Sequence, residues 1–437
     1  MTEQLIFEKT DKSFLRRKWE DILLKSVKNK IPKIYYENNQ VTILDSEETI
    51  KNFFFEEKRD VIKNKKFIII LVPLNNFVNL ISFFDKIDKL LDEDCKLILN
   101  YFNGSWKYIF SIFSLFGLIK NFDKSLFFSS KKLNVFLNCT NYEISRVLKD
   151  ISLPFQVPFL TKFLTILVNL FPFFSFFSFA NVFYLRKKTK QLTINQTMSL
   201  IIPCKNEEEN IKKIIENAKS DILFPYELVF VDDNSSDSTK KKINEEILNN
   251  PKMNIKVYDG PGNGKSRAVD IGVRNAQGYF SAILDADLTV KMKDMNLFYS
   301  SISLGNGDVI NGSRLIYRLE KNSMRILNYF GNKFFSLFIS FIISSNVSDT
   351  LCGTKCFITK DWEIFEKFRE DNNLDDIWGD FNILFSSSFY GFKLIDLPVR
   401  YYERSTGETK MTKRFFYFVN MLKLCFKALI VFKLRLK

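Results

Sequence analysis

Asp285 and Asp287, separated by Ala286, follow an apolar run that ends in Ile283 and Leu284. This places two carboxylates at the carboxyl end of a strand, the edge where open α/β sheets bind ligands. Two adjacent carboxylates with little else suit a hard cation, Mg²⁺ or Mn²⁺, that shares its remaining positions with water and phosphate oxygens. The plain alternative is a solvated turn. A second cluster, Gly260-Pro261-Gly262-Asn263-Gly264-Lys265-Ser266-Arg267, combines glycines that let backbone bend near a ligand with two cations able to neutralise phosphate. It lacks the G-x-x-x-x-G-K-[ST] spacing, which excludes a P-loop ATPase. A third, Asp232 to Thr239 (DDNSSDST), is rich in side chains that accept from backbone amides and from sugar or base donors. The chain has no histidine. Every Ser-His and Cys-His mechanism is therefore excluded, and acid–base work falls to carboxylates, Lys or Tyr.

Short strands must position these clusters. Met198–Pro203 reads as a strand, followed by Cys204-Lys205-Asn206-Glu207-Glu208-Glu209 and a helix with apolar positions Ile211, Ile214 and Ile215. Glu227–Val231 is a second strand, Met253–Tyr258 a third. A helix over Ala268–Asn275 leads to the strand that ends in D-A-D. Four successive β–α units result, each strand closing on a polar cluster.

At 437 residues two domains are expected. Hydrophobic content of 46% with 26% charged residues is globular. A net charge of +14 calls for an anionic partner, although the Lys, Asn, Ile and Phe bias (48 Phe) also fits a gene-level compositional bias. The six cysteines have no framework spacing, and without histidine a mixed zinc site is impossible. Reduced thiols in a cytoplasmic compartment are the simplest reading. The N-terminus, MTEQLIFEKTDKSF, is not a secretory signal.

Taken in order, P-x-x-N-E, V-D-D-N-S-S-D-S-T, G-N-G-K and L-D-A-D-L resemble glycosyltransferase family 2, of GT-A fold, across roughly residues 198–410. Within that family the chain looks most like the dolichyl-phosphate mannose or glucose synthases and their bacterial relatives. The resemblance implies that Pro203, Asn206, Glu207, Asp232, Asp233 and Ser235 hold the nucleoside. Lys265 lies by the diphosphate, and Asp285 and Asp287 hold the metal. It also implies that Arg314, in Asp308–Arg314, sits near the acceptor phosphate. The segment Asp349–Lys355 resembles D-x-x-S/C-G-x-R/K, and Arg404–Lys410 resembles R-x-x-G-x-S/T-K. Arg314, Arg325, Arg404 and Lys410 then form a cationic set for two phosphate groups. Asp380 is the carboxylate nearest the place where members that attack with hydroxyls carry their base. Two positions depart from the family pattern: Thr289, where several relatives place Gln, and Asn382, acidic in the bacterial fusions.

The first 190 residues carry only two glycines, Gly104 and Gly117, against thirteen later. The strand Phe67–Val72, helical spacing over Phe83–Leu91, the strand Lys96–Tyr101 and extended pieces at Asp150–Pro154 and Asn181–Leu185 resemble the second half of a class I methyltransferase. No glycine precedes residue 104, so the turn that S-adenosylmethionine needs is missing. A degenerate, Rossmann-like, non-catalytic domain is expected over 1–190, a linker over 191–197, the GT-A domain over 198–412 and a basic amphipathic tail over 413–437.

Three stretches bear on membranes. Phe163–Ala180 is long enough to span but carries Asn169 and Pro172, which favours a buried or interfacial helix. On Arg325–Ser345, Asn328, Asn332, Ser336, Ser340 and Ser344 make a narrow polar stripe on a broad apolar helix. The tail pairs Lys413, Arg414, Lys423, Lys427, Lys433, Arg435 and Lys437 with Phe and Leu, as an interfacial anchor does. The expectation is a metal-dependent, inverting transfer from a nucleotide-sugar to a polyprenyl phosphate. It would occur on the cytoplasmic side of a membrane, by a protein bound peripherally or by a short anchor. A transferase acting on a sugar hydroxyl, with Asp380 as base, and a non-catalytic nucleotide-binding scaffold are the alternatives. Nucleic acid is not an expected partner, because the basic residues alternate with Phe on an apolar helix and no reader motif occurs.

Overall fold

A computed structural model describes residues 24, 31, 36–45, 49–50, 66–71, 80–116, 130–151, 159–171, 173–174, 178–188, 195–317, 326–376, 378–402 and 414–434. The chain forms two compact units, residues 1–190 with 433–437, and residues 191–432.

In the first unit the elements run β1 (Val41–Leu44), β2 (Phe67–Ile70), α1 (Leu80–Leu90), β3 (Lys96–Phe102), α2 (Trp106–Leu115), α3 (Ser130–Asn138), β4 (Tyr142–Ile151), α4 (Leu160–Leu170) and β5 (Ala180–Lys187). They build one five-stranded sheet in the order β1-β2-β3-β5-β4. β1, β2 and β3 are parallel, and β5 is antiparallel to both β3 and β4. The run FIII of β2 is buried on every residue, as a strand covered on both faces must be. Of the expected extended piece at Asp150–Pro154, residues 150–151 belong to β4 and residues 152–154 lie outside the described residues. No single helix covers Phe163–Ala180. α4 ends at Leu170, Phe171 is extended (φ −119°, ψ 105°), and Ala180 already opens β5. Pro172 follows Phe171 in the sequence and disfavours helical backbone there. Among the described residues no helix is long and apolar enough to cross a membrane.

The second unit continues with β6 (Met198–Cys204), α5 (Ile211–Asp221), β7 (Tyr226–Asp232), α6 (Thr239–Asn249), β8 (Ile255–Asp259), α7 (Lys265–Arg274), β9 (Phe280–Ile283), α8 (Met295–Ser303), β10 (Val309–Ser313), α9 (Ile326–Ile343), β11 (Lys355–Ile358), α10 (Trp362–Asn372), α11 (Asp380–Phe389), β12 (Leu394–Pro398) and α12 (Arg414–Leu429). Its seven strands take the order β12-β10-β11-β9-β6-β7-β8, with β11 antiparallel to its neighbours β9 and β10 and the other pairs parallel. The chain moves outward from β6 through β7 to β8, then returns to the far side of β6 as β9. The reversal opens a crevice between the carboxyl ends of β6 and β9. Leu200 and Ile202 point into one apolar layer with Ile211, Ile214, Phe230, Phe280 and Phe298. Ile201 points the other way, onto α7, where an added Cβ at Gly272 would strike it. This alternation fixes the register of β6 and so the place of its carboxyl end.

Helix α9 buries Phe335, Ile339, Ile342 and Ile343 together with part of its polar stripe. Of its polar stripe, Asn332 and Ser336 are buried, and Phe330, Phe334 and Leu337 are exposed. Asn332 Nδ2 donates to Asp349 Oδ1 at 2.6 Å, and Ser336 and Ser340 bond to the Val347 carbonyl. The middle of the stripe therefore serves the irregular backbone of 347–350, whose polar groups need partners once buried, and Phe330, Phe334 and Leu337 are left outside. α12 packs against it through Phe334–Phe418 (6.2 Å between ring centroids) and Phe338–Phe426 (5.7 Å). It too exposes Phe416 and Phe426, beside Lys423 and Lys427.

Candidate active site

The loops that leave β6, β7, β8 and β9 meet in the crevice. Two of them are stapled to each other. Asn206, with left-handed backbone (φ 52°), accepts the Ser236 N–H on its Oδ1 at 2.8 Å. The Ser235 hydroxyl accepts the Asn206 N–H at 2.9 Å, and the Thr239 hydroxyl accepts that of Glu207 at 2.8 Å. Pro203 lies in β6, beside Val231 of β7. Glu207 Oε2 accepts from Asn210 Nδ2 at 2.8 Å. Asp232 receives the Ser235 N–H on Oδ2 at 3.3 Å, while its Oδ1 is buried without a hydrogen-bond partner. A buried carboxylate oxygen left in that state is costly unless a ligand donor meets it.

Asp233 organises the glycine loop. Its Oδ1 accepts the Gly262 N–H at 2.7 Å and its Oδ2 the Gly264 N–H at 3.0 Å. Gly262 needs its φ of +76° to turn its amide inward, a conformation that a residue with a Cβ adopts only under strain. Gly264 caps α7, so the helix begins at Lys265, three residues earlier than the sequence pattern indicates. Lys265 thereby sits at a helix N-terminus and reaches across to β9. Its Nζ lies 2.6 Å from Asp285 Oδ1 and 3.8 Å from Asp380 Oδ1. Burial alone would raise the Asp285 carboxyl. Lys265 outweighs it, with Arg314 and Lys355 adding to the effect, and holds the carboxyl below its ordinary value. For Lys265 burial works the other way, and Asp285 and Asp380 overcome it to raise the ammonium above its ordinary value.

Asp287 is shaped by its own turn. Leu288 adopts left-handed backbone (φ 55°), rare for a branched side chain and costing on the order of 1 kcal/mol or more. The turn folds Thr289 back, so that its amide (3.2 Å) and hydroxyl (2.8 Å) both donate to Asp287 Oδ1. The departure at Thr289 thus orients one carboxylate. Among the described residues no group of three or more carboxylates or thiols gathers as a metal site. A pair of carboxylates, one of them paired with a movable ammonium, fits a single hard ion that completes its shell with water and phosphate.

Gly353, Lys355 and Asp349 complete the wall. A Cβ at Gly353 would collide with Lys265 Nζ and Asp285 Oδ2 and stand 2.9 Å from Asp285 Cγ, so only glycine lets this strand pass the ion pair. Lys355, wholly buried, donates to the Cys352 carbonyl and lies 3.5 Å from Asp380 Oδ1. Arg314 is spoken for. Its Nε and NH2 bind Asp349 at 2.7 and 3.0 Å, and its guanidinium lies 5.0 Å from the Tyr401 ring centroid. Of the cationic set expected from the sequence, only Arg314 is described, and Asp349 neutralises it; Lys265 and Lys355 are the other cations described at this wall. Arg325, Arg404 and Lys410 lie outside the described residues.

One further acid, Asp376, has no place in the sequence reading, although an acid just before a helix is a recognised start signal. It caps α11, accepting the Trp378 N–H at 3.0 Å and the Phe381 N–H at 2.9 Å. Burial first, then the Asp380 charge, push its carboxyl up from 3.8 to about 6, against the pull of those amides. A raised carboxyl favours the fold below its unfolded value and loses that contribution as pH rises through the folded one. The shift amounts to about 3 kcal/mol, lost between about pH 4 and pH 6. Urea denaturation of Asp376→Asn should show a flatter stability profile over that window than the wild type. Equal slopes would refute the assignment.

Residues 199–389 match the family model described as Glycosyl transferase family 2. The chain is 29% identical over 182 residues to a dolichyl-phosphate beta-glucosyltransferase of Dictyostelium discoideum, covering 37% of this chain and 54% of that relative. The human protein of the same description is 23% identical over 245 residues, covering 51% of this chain and 74% of the relative. A mouse protein of that description is 29% identical over 184 residues, covering 38% and 54%. The chain thus spans little more than half of two of these relatives.

Proposed function

Since the chain carries a glycosyl transferase family 2 domain over residues 199–389, we propose that it moves a sugar from a nucleotide-sugar to a polyprenyl phosphate. The observation that carries this reading is the Lys265–Asp285 contact beside a glycine loop held by Asp233. A cation and a carboxylate stand beside a glycine loop that Asp233 holds in shape, an arrangement that suits a sugar diphosphate. The relatives named for dolichyl phosphate supply the acceptor class.

In this reading the stapled loops after β6 and β7 hold the nucleoside, with Asp232 Oδ1 awaiting a donor. Asp285 and Asp287 would hold Mg²⁺ or Mn²⁺, which supplies charge stabilisation for the departing diphosphate. Lys265 adds a second positive charge on the leaving group. The bond from the sugar's anomeric carbon to the diphosphate breaks as a bond to an oxygen of the lipid phosphate forms, with inversion. A phosphomonoester is largely dianionic at neutral pH, its second pKa being about 6. It needs positioning and little or no general base. Asp380, flanked by Lys265 and Lys355, then keeps those cations in place.

The outward apolar sides of α9 and α12, with Lys423 and Lys427 among the phenylalanines, suit the surface of an anionic leaflet. Each such basic residue is worth about 1 kcal/mol there. Peripheral docking on the cytoplasmic leaflet would bring the acceptor phosphate to the crevice. For the first unit we keep the degenerate methyltransferase reading, supported by a sheet that ends in an antiparallel strand pair.

A radiolabelled donor screen with membrane extract tests the proposal. Label should enter the organic phase with one nucleotide-sugar and require a divalent ion; label confined to water-soluble products with every donor would overturn it. At saturating donor and metal, Asp380→Asn should keep turnover within about tenfold for a phosphate acceptor. A sugar-hydroxyl acceptor, which needs Asp380 as base, would lose about 10²–10⁴.

A further inference from the structure

The contact between Lys265 and Asp285 has a second side. The ammonium stands 2.6 Å from the carboxylate oxygen that a metal would need, and Gly353 lacks the Cβ that would push it away. A divalent ion arriving alone must break this pair and also approach a positive charge. A second carboxylate, Asp380, waits 3.8 Å from the same ammonium, so Lys265 has a place to go when a stronger cation takes Asp285.

We infer that Lys265 is a resident counter-cation for Asp285, which weakens the metal position for a free divalent ion and yields it most readily when metal and diphosphate arrive together. The inference rests on the proposed metal site and adds an order to its filling. In the crevice the ammonium neutralises Asp285. A diphosphate gives that ammonium new anionic partners, and the metal then meets a carboxylate that has lost its cation. Metal and diphosphate must favour each other equally, because coupling between two ligands is reciprocal. The pair is partly exposed, Lys265 by 19% and Asp285 by 38%, so the cost of breaking it is expected to leave wild-type metal binding weaker by on the order of tenfold than it would be without the ammonium.

The test uses Mn²⁺ alone with the full chain, read by the electron paramagnetic resonance signal of free Mn²⁺. Lys265→Met should bind Mn²⁺ about tenfold more tightly than the wild type, and Asp285→Asn should lose most binding. If Asp285→Asn loses binding but Lys265→Met gains none, the metal site stands and the counter-cation role is overturned. If Asp285→Asn binds as the wild type does, the metal reading itself fails, and this inference with it. A second measurement needs no variant. Amine-reactive labelling of the wild type, followed by mass spectrometry, should show Lys265 modified several-fold faster when Mn²⁺ is added, with buried Lys355 unchanged. Unchanged or slower labelling of Lys265 would overturn the displacement.

Discussion

Asp287→Ala should lower sugar transfer by about three orders of magnitude or more, with the fold retained. The carboxylate lies at the end of β9, held by two donors from Thr289. Losing it removes half of the acidic pair proposed to hold the metal. Charge stabilisation at a leaving diphosphate is worth several kcal/mol, and each 1.36 kcal/mol is tenfold in rate. The fold should survive because the side chain is small and both Thr289 donors sit on its own turn, so the cost of the orphaned Thr289 hydroxyl stays local. Initial rates of label transfer, with a thermal melt as control, check this. A rate within tenfold of wild type, from a protein that melts normally, would remove Asp287 from the chemistry.

Asp349→Ala should destabilise the second unit by about 3–5 kcal/mol, the cost of leaving a buried cation without its partner. Asp349 is wholly buried and holds Arg314 through two side-chain contacts and the Arg314 backbone amide. Asn332 and the Leu351 amide complete its shell. Burial opposes ionisation here. Arg314 first, then the hydrogen bonds, override it and draw the carboxyl down to about 2. A depressed carboxyl contributes stability above its unfolded value and loses it as pH falls through the folded one, so this contribution fades between about pH 4 and pH 2. Double removal, Asp349→Leu with Arg314→Met, should recover much of the loss, since no buried charge is then left alone. Chemical denaturation of the three variants measures both effects. A single variant within 1 kcal/mol of wild type would mean that the pair is hydrated and contributes little.

The contrast between those two carboxylates explains what the sequence discloses. Asp287 stands two residues from Asp285 at the end of an apolar run, and local spacing alone places both at a strand's rim. The same holds for Asp233 and the glycine loop, each directly following its strand. Asp349 meets Arg314 across 35 residues, and no local period encodes that distance. Arg314 accordingly looks available for a phosphate until its partner is seen. The start of α7 at Lys265 was hidden for another reason: Gly264 has poor helix propensity, yet it serves as the cap. Helix α9 shows a limit of periodicity. The pattern gives the stripe and its width, but not which side of the helix faces the rest of the unit.

Along that stripe the usual relation between hydropathy and tolerance is reversed. On α9 a serine-to-leucine change at Ser336 is the damaging one, because the side chain is buried and the Val347 carbonyl loses one of its two serine donors. Replacing Leu337 by a glutamate would disturb no internal contact of comparable importance. An engineer seeking a better-behaved protein would be drawn to Phe330 and Leu337, the same exposed side chains that the proposed docking on a leaflet would use.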